Sequence, residues 1–449
     1  MKNNLSTTNR ARLVLGYATI LVLAVIAMST VSVSAQKMDV VERGRAKAML
    51  DTIKSVIKKN YYDPQFHGMD LDARFKAAAE KVDQAQTIGQ ADGIIAQTLM
   101  DLNDSHTFFM PPSKNVKVEY GWTMLMIGSK CFVTAVKPKS DAEAKGLKPG
   151  DEILSVEGFR PNRKEMWKVN YYYNVISPRS MVRLAVLSPG AKEPRQLEIA
   201  TKVTTLKRVV DLTSDMDVST FMREQDDDST AEFHHFRTIG GVAIWRMPSF
   251  SFDPKDVDEI MRGRIAKSRD LIIDLRGNGG GYVVTLEQLA GYFFEKDTKI
   301  AELKARKPEK PLMAKSQGEK GYKGRLVVLI DSNSGSASEI LARLMQIEKR
   351  GVVLGDQSSG SVMQSRVFRQ STGNENLRFY AVSVTGADVI MTDGQSLEHA
   401  GVAPNEKIIP TGEDLAARRD PVLARALELL GQNVPPEAAG KLFPVKWEK

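Results

Sequence analysis

Between Gly241 and Gly355, short runs rich in Val, Ile and Leu alternate with amphipathic stretches, and no other feature restricts the fold as strongly. The runs "GVAIWRM", "DLIIDL", "RLVVLID" and "GVVLG" read as strands. Between them, "PKDVDEIMRGRIA", "VTLEQLAGYFF" and "SASEILARLMQ" repeat apolar residues at three- and four-residue spacing and read as helices. Strands that are apolar throughout must be covered on both faces, and intervening helices supply that cover. The pattern predicts an α/β core with parallel strands, whose chemistry falls in loops at the strands' carboxyl ends. Both "RGNGGG" and "DSNSGS" sit in such loops.

At 449 residues the chain is too long for one ordinary core. Upstream, "RAKAMLDTIKSVIKKNYY", "DARFKAAAEKVDQA" and "GIIAQTLMDLN" have helical spacing, which predicts a helical domain ending at Pro111 and Pro112. From Tyr120 to about Val203 the pattern turns to short strands, "MLMIG", "CFVTAV", "EILSVEG" and "MVRLAVL", with turns at "KPGD" and "SPGAK" and few helical residues. The acidic run Asp226, Asp227, Asp228 reads as a solvated linker. At the start, Lys2, Arg10 and Arg12 precede an apolar run from Leu13 to Met28, and Val33 to Ala35 supply small residues for cleavage before Gln36. Residues 1–35 therefore read as a signal peptide, and the protein as exported, with a periplasmic destination. The alternative is an uncleaved anchor, for which the apolar run is short; membrane association is expected only in that case.

Losing the leader takes three positive charges from a formal net charge of +8 and leaves +5. Basic residues are interspersed with acidic ones, which excludes a nucleic-acid footprint. Cys131 is the single cysteine, so no intrachain disulfide forms. The five histidines include no H-E-x-x-H arrangement, and the adjacent His234 and His235 would face opposite sides of a strand, so no metal site is expected.

In "DLIIDLRGNGGGY" the dinucleotide pattern G-x-G-x-x-G fails at Tyr282, and no Gly-Lys-Ser/Thr follows for a phosphate loop. The glycines either make a plain tight turn or let Gly280 and Gly281 aim backbone N–H groups at a developing oxyanion. "GSASEILARLMQ" also has two readings. Ser336 with Glu339 is a capping box at a helix start, or Ser336 is a nucleophile.

Two resemblances add to these readings. The run "VTAVKPKSDAEAKGLKPGDEILSVEG" resembles the PDZ family, which implies a groove where an extended peptide adds to a sheet edge. The family's carboxylate-binding loop would fall on Gly121, Trp122 and Thr123 in "YGWTM", with Thr123 replacing its second glycine. The ordered motifs "DLIIDLRGNGGG", "VVLIDSNSGSASEILARLMQ", "GVVLGDQSSGS" and "DGQSLEHAGVAPNEKI" resemble the C-terminal processing peptidases, or tail-specific proteases, whose wider family includes the tricorn protease. That resemblance places the nucleophile on Ser336, with Ala337 supplying an oxyanion N–H beside the glycine turn. The processing peptidases carry a lysine twenty-five residues after the serine; here that position is Ser361, and the flanking lysines are Lys349 and Lys407. The tricorn-type branch instead carries a Ser-His pair, which "DSHT" matches with Ser105 and His106. A neutral imidazole can take the Ser336 proton near neutral pH. Glu398, Glu339, Asp104 and Ser105 are all candidates to orient it.

The expected fold class is multidomain α/β. It comprises a helical domain over 36–115, a PDZ β-sandwich-like domain over 116–205, an α/β serine protease core of tail-specific, crotonase-like type over 206–430, and a C-terminal tail over 431–449. The expected function is that of a cofactor-free serine endopeptidase acting on unfolded or extended polypeptides. The alternative is a catalytically silent PDZ scaffold, with Ser361 as its mark.

Overall fold

The computed structural model describes residues 38–112, 116–205, 234–373 and 377–447; the leader and the Asp226–Asp228 run lie outside them. Three helices open the described chain, each started by a side-chain cap. Asp39 accepts the Glu42 N–H in α1 (Val40–Asn60), Asp70 accepts the Ala73 N–H in α2 (Leu71–Gln84), and Thr87 forms a capping box with Gln90 in α3 (Ile88–Met100). A short strand β1 (Phe108–Met110) follows, then β2 (Val116–Glu119).

Strands β3 (Trp122–Ile127), β4 (Lys130–Val136), β5 (Glu152–Val156), β6 (Met181–Leu187) and β7 (Arg195–Ala200) form an antiparallel sheet in sequential order, leaving β3 at one edge. Strand β8 (Lys202–Thr205) pairs with β2. The sheet also carries a helix, Met166–Tyr171, that continues as a π-helical turn over Tyr172–Ile176. The sequence reading found few helical residues here because "MWKVNYYYNVI" is mostly aromatic, β-branched and Asn residues, all poor helix formers. Tertiary packing decides instead: Met166 and Val169 join Val133, Val182 and Val186 in the sheet's core.

The α/β core has the predicted plan. It runs β9 (His235–Ile239), β10 (Val242–Arg246), β11 (Asp270–Asp274), β12 (Thr298–Ala305), β13 (Leu312–Ala314), β14 (Arg325–Ile330), β15 (Val352–Gly355), β16 (Met363–Thr372), β17 (Arg378–Met391) and β18 (Glu406–Lys407). A six-stranded sheet has the order β18-β15-β14-β11-β10-β9, parallel except for the β9 edge. Helices Val283–Gly291 and Ala337–Ile347 pack one face, placing Leu286, Leu289, Leu341 and Met345 against Leu271, Ile273 and Val328. Helix Pro421–Leu429 covers the other face through Leu423 and Leu427.

A second five-stranded sheet, which the sequence reading did not reach, centres on the 14-residue β17. It pairs with β16 along most of its length, with β12 and with β1, where Phe108 faces Ser383 and Met110 faces Ala381. The N-terminal helices close over this sheet: Leu50, Ile53, Phe75 and Leu99 share one core with Phe109, Tyr380, Val382 and Val384.

Two polar clusters fix how these layers meet. Asp356, just past β15, accepts the Gly128 N–H at 2.7 Å and an ion pair from Arg163, while Ser332 donates to the Met126 carbonyl at 2.6 Å, seating the β3–β7 sheet at the carboxyl ends of β14 and β15. Arg276, after β11, bridges the fully buried Asp274 and Asp420 with bonds of 2.8–2.9 Å to each. Arg276→Ala would leave the buried Asp274 with Arg246 alone, 4.0 Å away, and would take the same guanidinium from Asp420. We expect unfolding stability to fall by about 3–5 kcal/mol, read as a lower urea midpoint with an unchanged slope.

Candidate active site

Ser336 stands where β14 hands over to the helix Ala337–Ile347. Its backbone has φ 52° and ψ −118°, a conformation that serine adopts only under constraint. The constraint is visible. The Ser336 N–H is shared between the Ser361 carbonyl at 2.8 Å and Glu339 Oε2 at 3.0 Å, and the preceding Gly335 N–H donates to the Asn278 carbonyl at 2.9 Å. Glu339 thus caps the helix through the backbone of Ser336, and the serine's Oγ lies 3.2 Å from His106 Nε2.

His106 reaches that point because β1, which starts two residues later, is held on β17. The turn before it is tied by Asp104, whose Oδ1 accepts the N–H groups of His106 at 2.8 Å and Thr107 at 3.1 Å. Behind the ring, Nδ1 lies 2.8 Å from Ser105 Oγ, and that hydroxyl donates to Glu398 Oε2 at 2.8 Å. Glu398 also accepts the N–H groups of Ser105 at 2.9 Å and Val362 at 2.8 Å. Because the carboxylate can only accept, the Ser105 proton points to it, and Ser105 Oγ receives the Nδ1–H. The remaining nitrogen, Nε2, then faces Ser336 with a free lone pair. Burial of the imidazole lowers its pKa below the ordinary histidine value, against the opposing pull of the Asp104 charge. Burial raises the Glu398 pKa, opposed by the bonds from Ser105 and Val362.

Of the candidates to orient the imidazole, the structure brings Ser105 and Glu398 to its rear and Asp104 to its backbone. Glu339 is not among them. Its carboxylate takes Ser358 Oγ at 2.6 Å, Gly360 N–H at 2.7 Å, Ser361 N–H at 2.9 Å and the Ser336 N–H, so all four of its acceptor positions are filled away from His106. Loop 358–362 is therefore pinned by two carboxylates, Glu339 and Glu398. Sequence reasoning missed the loop's backbone role; its signal was the position where the lysine was expected. The Ser361 side chain meets Ser359 Oγ at 2.8 Å, while Lys407 pairs with Asp356 at 3.9 Å and Lys349 lies beyond the helix end.

The glycine turn needs a correction. Gly280 presses on the serine so closely that a Cβ would lie 2.6 Å from Ser336 Cβ, but its N–H donates to Asn278 Oδ1 at 2.8 Å and is already used. Gly281 has φ 145°, and a Cβ there would meet the Ser251 nitrogen at 2.4 Å. Among the described residues, the N–H groups of Gly281 and Ala337 meet no acceptor, whereas those of Ser338, Glu339 and Ile340 are taken by Gly335 and Ser336 carbonyls. Ala337, at the first helical position, keeps its N–H because helix geometry provides no partner there. A second correction concerns the peptide loop. Gly121 (φ 74°) lies just before β3 and Thr123 is exposed on it, but Trp122 is 9% exposed and belongs to the sheet's core, so its ring offers no peptide contact. A cleft of about 1000 Å³ opens between the β3–β4 turn and Ile409–Glu413, and no residue of the Ser336–His106 array lines it.

Residues 241–408 match the model of peptidase family S41, and the chain is similar to tail-specific and carboxy-terminal processing proteases. Its relatives include the tail-specific protease of Haemophilus influenzae, 26% identical over 59% of this chain and 38% of that protein. The carboxy-terminal processing protease CtpB of Bacillus subtilis is 27% identical over 67% of this chain and 60% of that protein. These matches span less than two thirds of either relative's length. Among solved structures, mature CPAF shares the fold with a TM-score of 0.61 at 14% identity, over 84% of this chain and 94% of that one.

Glu339 carries a pH consequence. Burial pushes its carboxyl up to about 7, opposed by its four hydrogen bonds. A folded pKa above the unfolded value of 4.5 favours the fold while the group is protonated, and that contribution is lost as pH rises from about 4.5 to about 7. We expect the wild type to lose stability over this window relative to Glu339→Gln, whose amide does not titrate. Parallel denaturation curves for the two proteins across pH 4–8 would contradict this.

Proposed function

We propose that the protein is an exported serine endopeptidase that cleaves unfolded or extended polypeptides, with Ser336 as nucleophile and His106 as general base. The observation that carries this reading is the unbroken array Ser336 Oγ, His106 Nε2 and Nδ1, Ser105 Oγ, Glu398 Oε2, with links of 3.2, 2.8 and 2.8 Å. Ser336 Oγ attacks the scissile carbonyl carbon while its proton passes to His106 Nε2. The imidazolium then gives that proton to the leaving amine, and a water repeats the sequence on the acyl-enzyme. Ser105 and Glu398 fix the tautomer and stabilise the imidazolium. The Ala337 N–H, with Gly281 N–H beside it, receives the oxyanion at the helix's positive end. Neither lysine near the site enters the scheme.

The β3–β7 sheet is assigned the PDZ role. Its β3 edge is free of a neighbouring strand within the sheet, as strand addition requires. The assignment of export rests on the basic and apolar pattern of residues 1–35; no helix among the described residues is long and apolar enough to cross a membrane.

A fluorophosphonate should label the mature protein and not Ser336→Ala, and casein should be degraded only by the former. A silent scaffold would remain unlabelled. His106→Ala should abolish both activities, and Ser105→Ala, which uncouples Glu398 from the ring, should lower kcat by about a hundredfold with KM little changed.

Since burial lowers the His106 pKa, kcat/KM should rise with pH through a midpoint below about 6.5, rather than across the full range open to a solvated histidine. Hydrolysis of an unstructured peptide from pH 4 to 10 checks this. A profile that rises only above about pH 8.5 would exclude histidine as the base.

A further inference from the structure

Behind His106 lie two enclosed oxygens that the array above does not use. Asp104 is 2% exposed, and its Oδ1 takes the His106 and Thr107 N–H groups and the Thr385 hydroxyl, the last at 2.7 Å. Its Oδ2 is shut off from solvent and meets no hydrogen-bond partner among the described residues. The same is true of the hydroxyl of Tyr61, which is 0% exposed at the C-terminal end of α1. After burial itself, the Asp104 charge is the strongest influence on that hydroxyl, and it pushes the tyrosine pKa up.

The surrounding groups are engaged elsewhere. The Tyr62 hydroxyl bonds His67 Nε2 at 2.8 Å, and His67 Nδ1 bonds the Leu102 carbonyl at 3.0 Å. Asp63 takes the N–H groups of Gln65 and His67, Asp388 accepts from Ser396, and Glu398 is filled by Ser105 and Val362. The placement of Tyr61 is also firm: its ring packs against Tyr62, Phe66 and His67, and the next residue's N–H donates to the Thr385 carbonyl at 3.0 Å. A buried donor and a buried acceptor left apart are each costly, and joining them removes both costs.

Building on the reading of His106 as the base, we propose that Tyr61 is a positioning residue for it: the Tyr61 hydroxyl donates to Asp104 Oδ2 and, through that carboxylate, holds the Asp104–Thr107 turn and favours the imidazolium. Tyr61 touches neither substrate nor imidazole nitrogen. Its effect passes through the Asp104 charge, which acts on His106 in the direction opposite to burial. Tyr61→Phe removes one oxygen and leaves the ring packing intact. Asp104→Asn keeps an acceptor for the three Oδ1 donors and turns an amide N–H toward the tyrosine oxygen, so that charge alone is lost.

The test compares wild type, Tyr61→Phe, Asp104→Asn and the double variant in kcat/KM profiles from pH 4 to 9. It also follows the His106 ring proton by NMR titration in a Ser336→Ala background, which needs no activity. Tyr61→Phe should move the acid limb and the NMR midpoint to lower pH by about half a unit or more, with kcat reduced and KM unchanged. Asp104→Asn should shift both further, and adding Tyr61→Phe to it should shift nothing more. If Tyr61→Phe lowers stability or kcat while both midpoints stay in place, Tyr61 is merely structural and the proposal is overturned. Should Tyr61→Phe not fold, an unmoved midpoint in Asp104→Asn overturns it equally. A wild-type limb that persists in His106→Ala would instead overturn the base assignment on which the proposal rests.

Discussion

The pairing of β1 with the middle of β17 is the contact on which the site depends. Ser336 is fixed within the α/β core by its own turn, but His106 comes from a segment 230 residues earlier. Only the antiparallel register Phe108↔Ser383 to Met110↔Ala381 brings it there. The register is enforced from both sides. Phe109 is fully buried in the core shared by the helices and β17, so a one-residue slip would expose it. Next to it, Thr385 N–H donates to Thr107 Oγ1 at 3.0 Å and Thr385 Oγ1 donates to Asp104, so the strand pairing continues directly into the turn that carries the imidazole. The N-terminal helices act on the site through that strand, by covering its outer face.

A second constraint is electrostatic. Loop 358–362 occupies the place where the sequence resemblance leads us to expect a lysine, and it contains no cation. Its backbone N–H groups instead converge on two carboxylates, with Gly360 and Ser361 on Glu339 and Val362 on Glu398. One of these carboxylates also holds the Ser336 backbone, and the other also holds His106 through Ser105. The loop therefore sets the distance between the two halves of the site without supplying a reacting group. A lysine side chain at position 361 would bring a charge beside His106, in surroundings where burial disfavours a cation.

How much of this was legible in the sequence follows from how local each determinant is. The α/β alternation, the N-terminal helices and the Ser336–Glu339 spacing are written within a few residues and appear as read. The helix at Met166–Ile176 was missed because its residues are poor helix formers and its stability comes from packing on a sheet made elsewhere. The sheet around β17 was missed because the pairing of β17 with β1 and β12 joins segments distant in sequence, and nothing local marks them as partners. At the site, "DSHT" and "SLEHAGV" exposed His106 and Glu398, but not that Ser105 stands between them. The used Gly280 N–H could not be anticipated, since its acceptor is a side chain two residues away that folds back within the turn.

The two readings of Ser336, cap and nucleophile, call on different atoms of the residue. In an ordinary N-cap the serine oxygen accepts an N–H from the first turn and is occupied. Here the left-handed φ of Ser336 is stabilised by two acceptors on its own N–H, and the first-turn N–H groups of Glu339 and Ile340 are satisfied by the Ser336 carbonyl rather than its hydroxyl. The helix start is thus built from the backbone of Ser336 and the side chain of Glu339, and the hydroxyl is free to face His106. The strain of the positive φ is the structural cost of that separation, about 1–3 kcal/mol for such a conformation, and the bonds converging on the Glu339 carboxylate offset it. The capping motif and the proposed nucleophile can share one residue because they use different atoms of it.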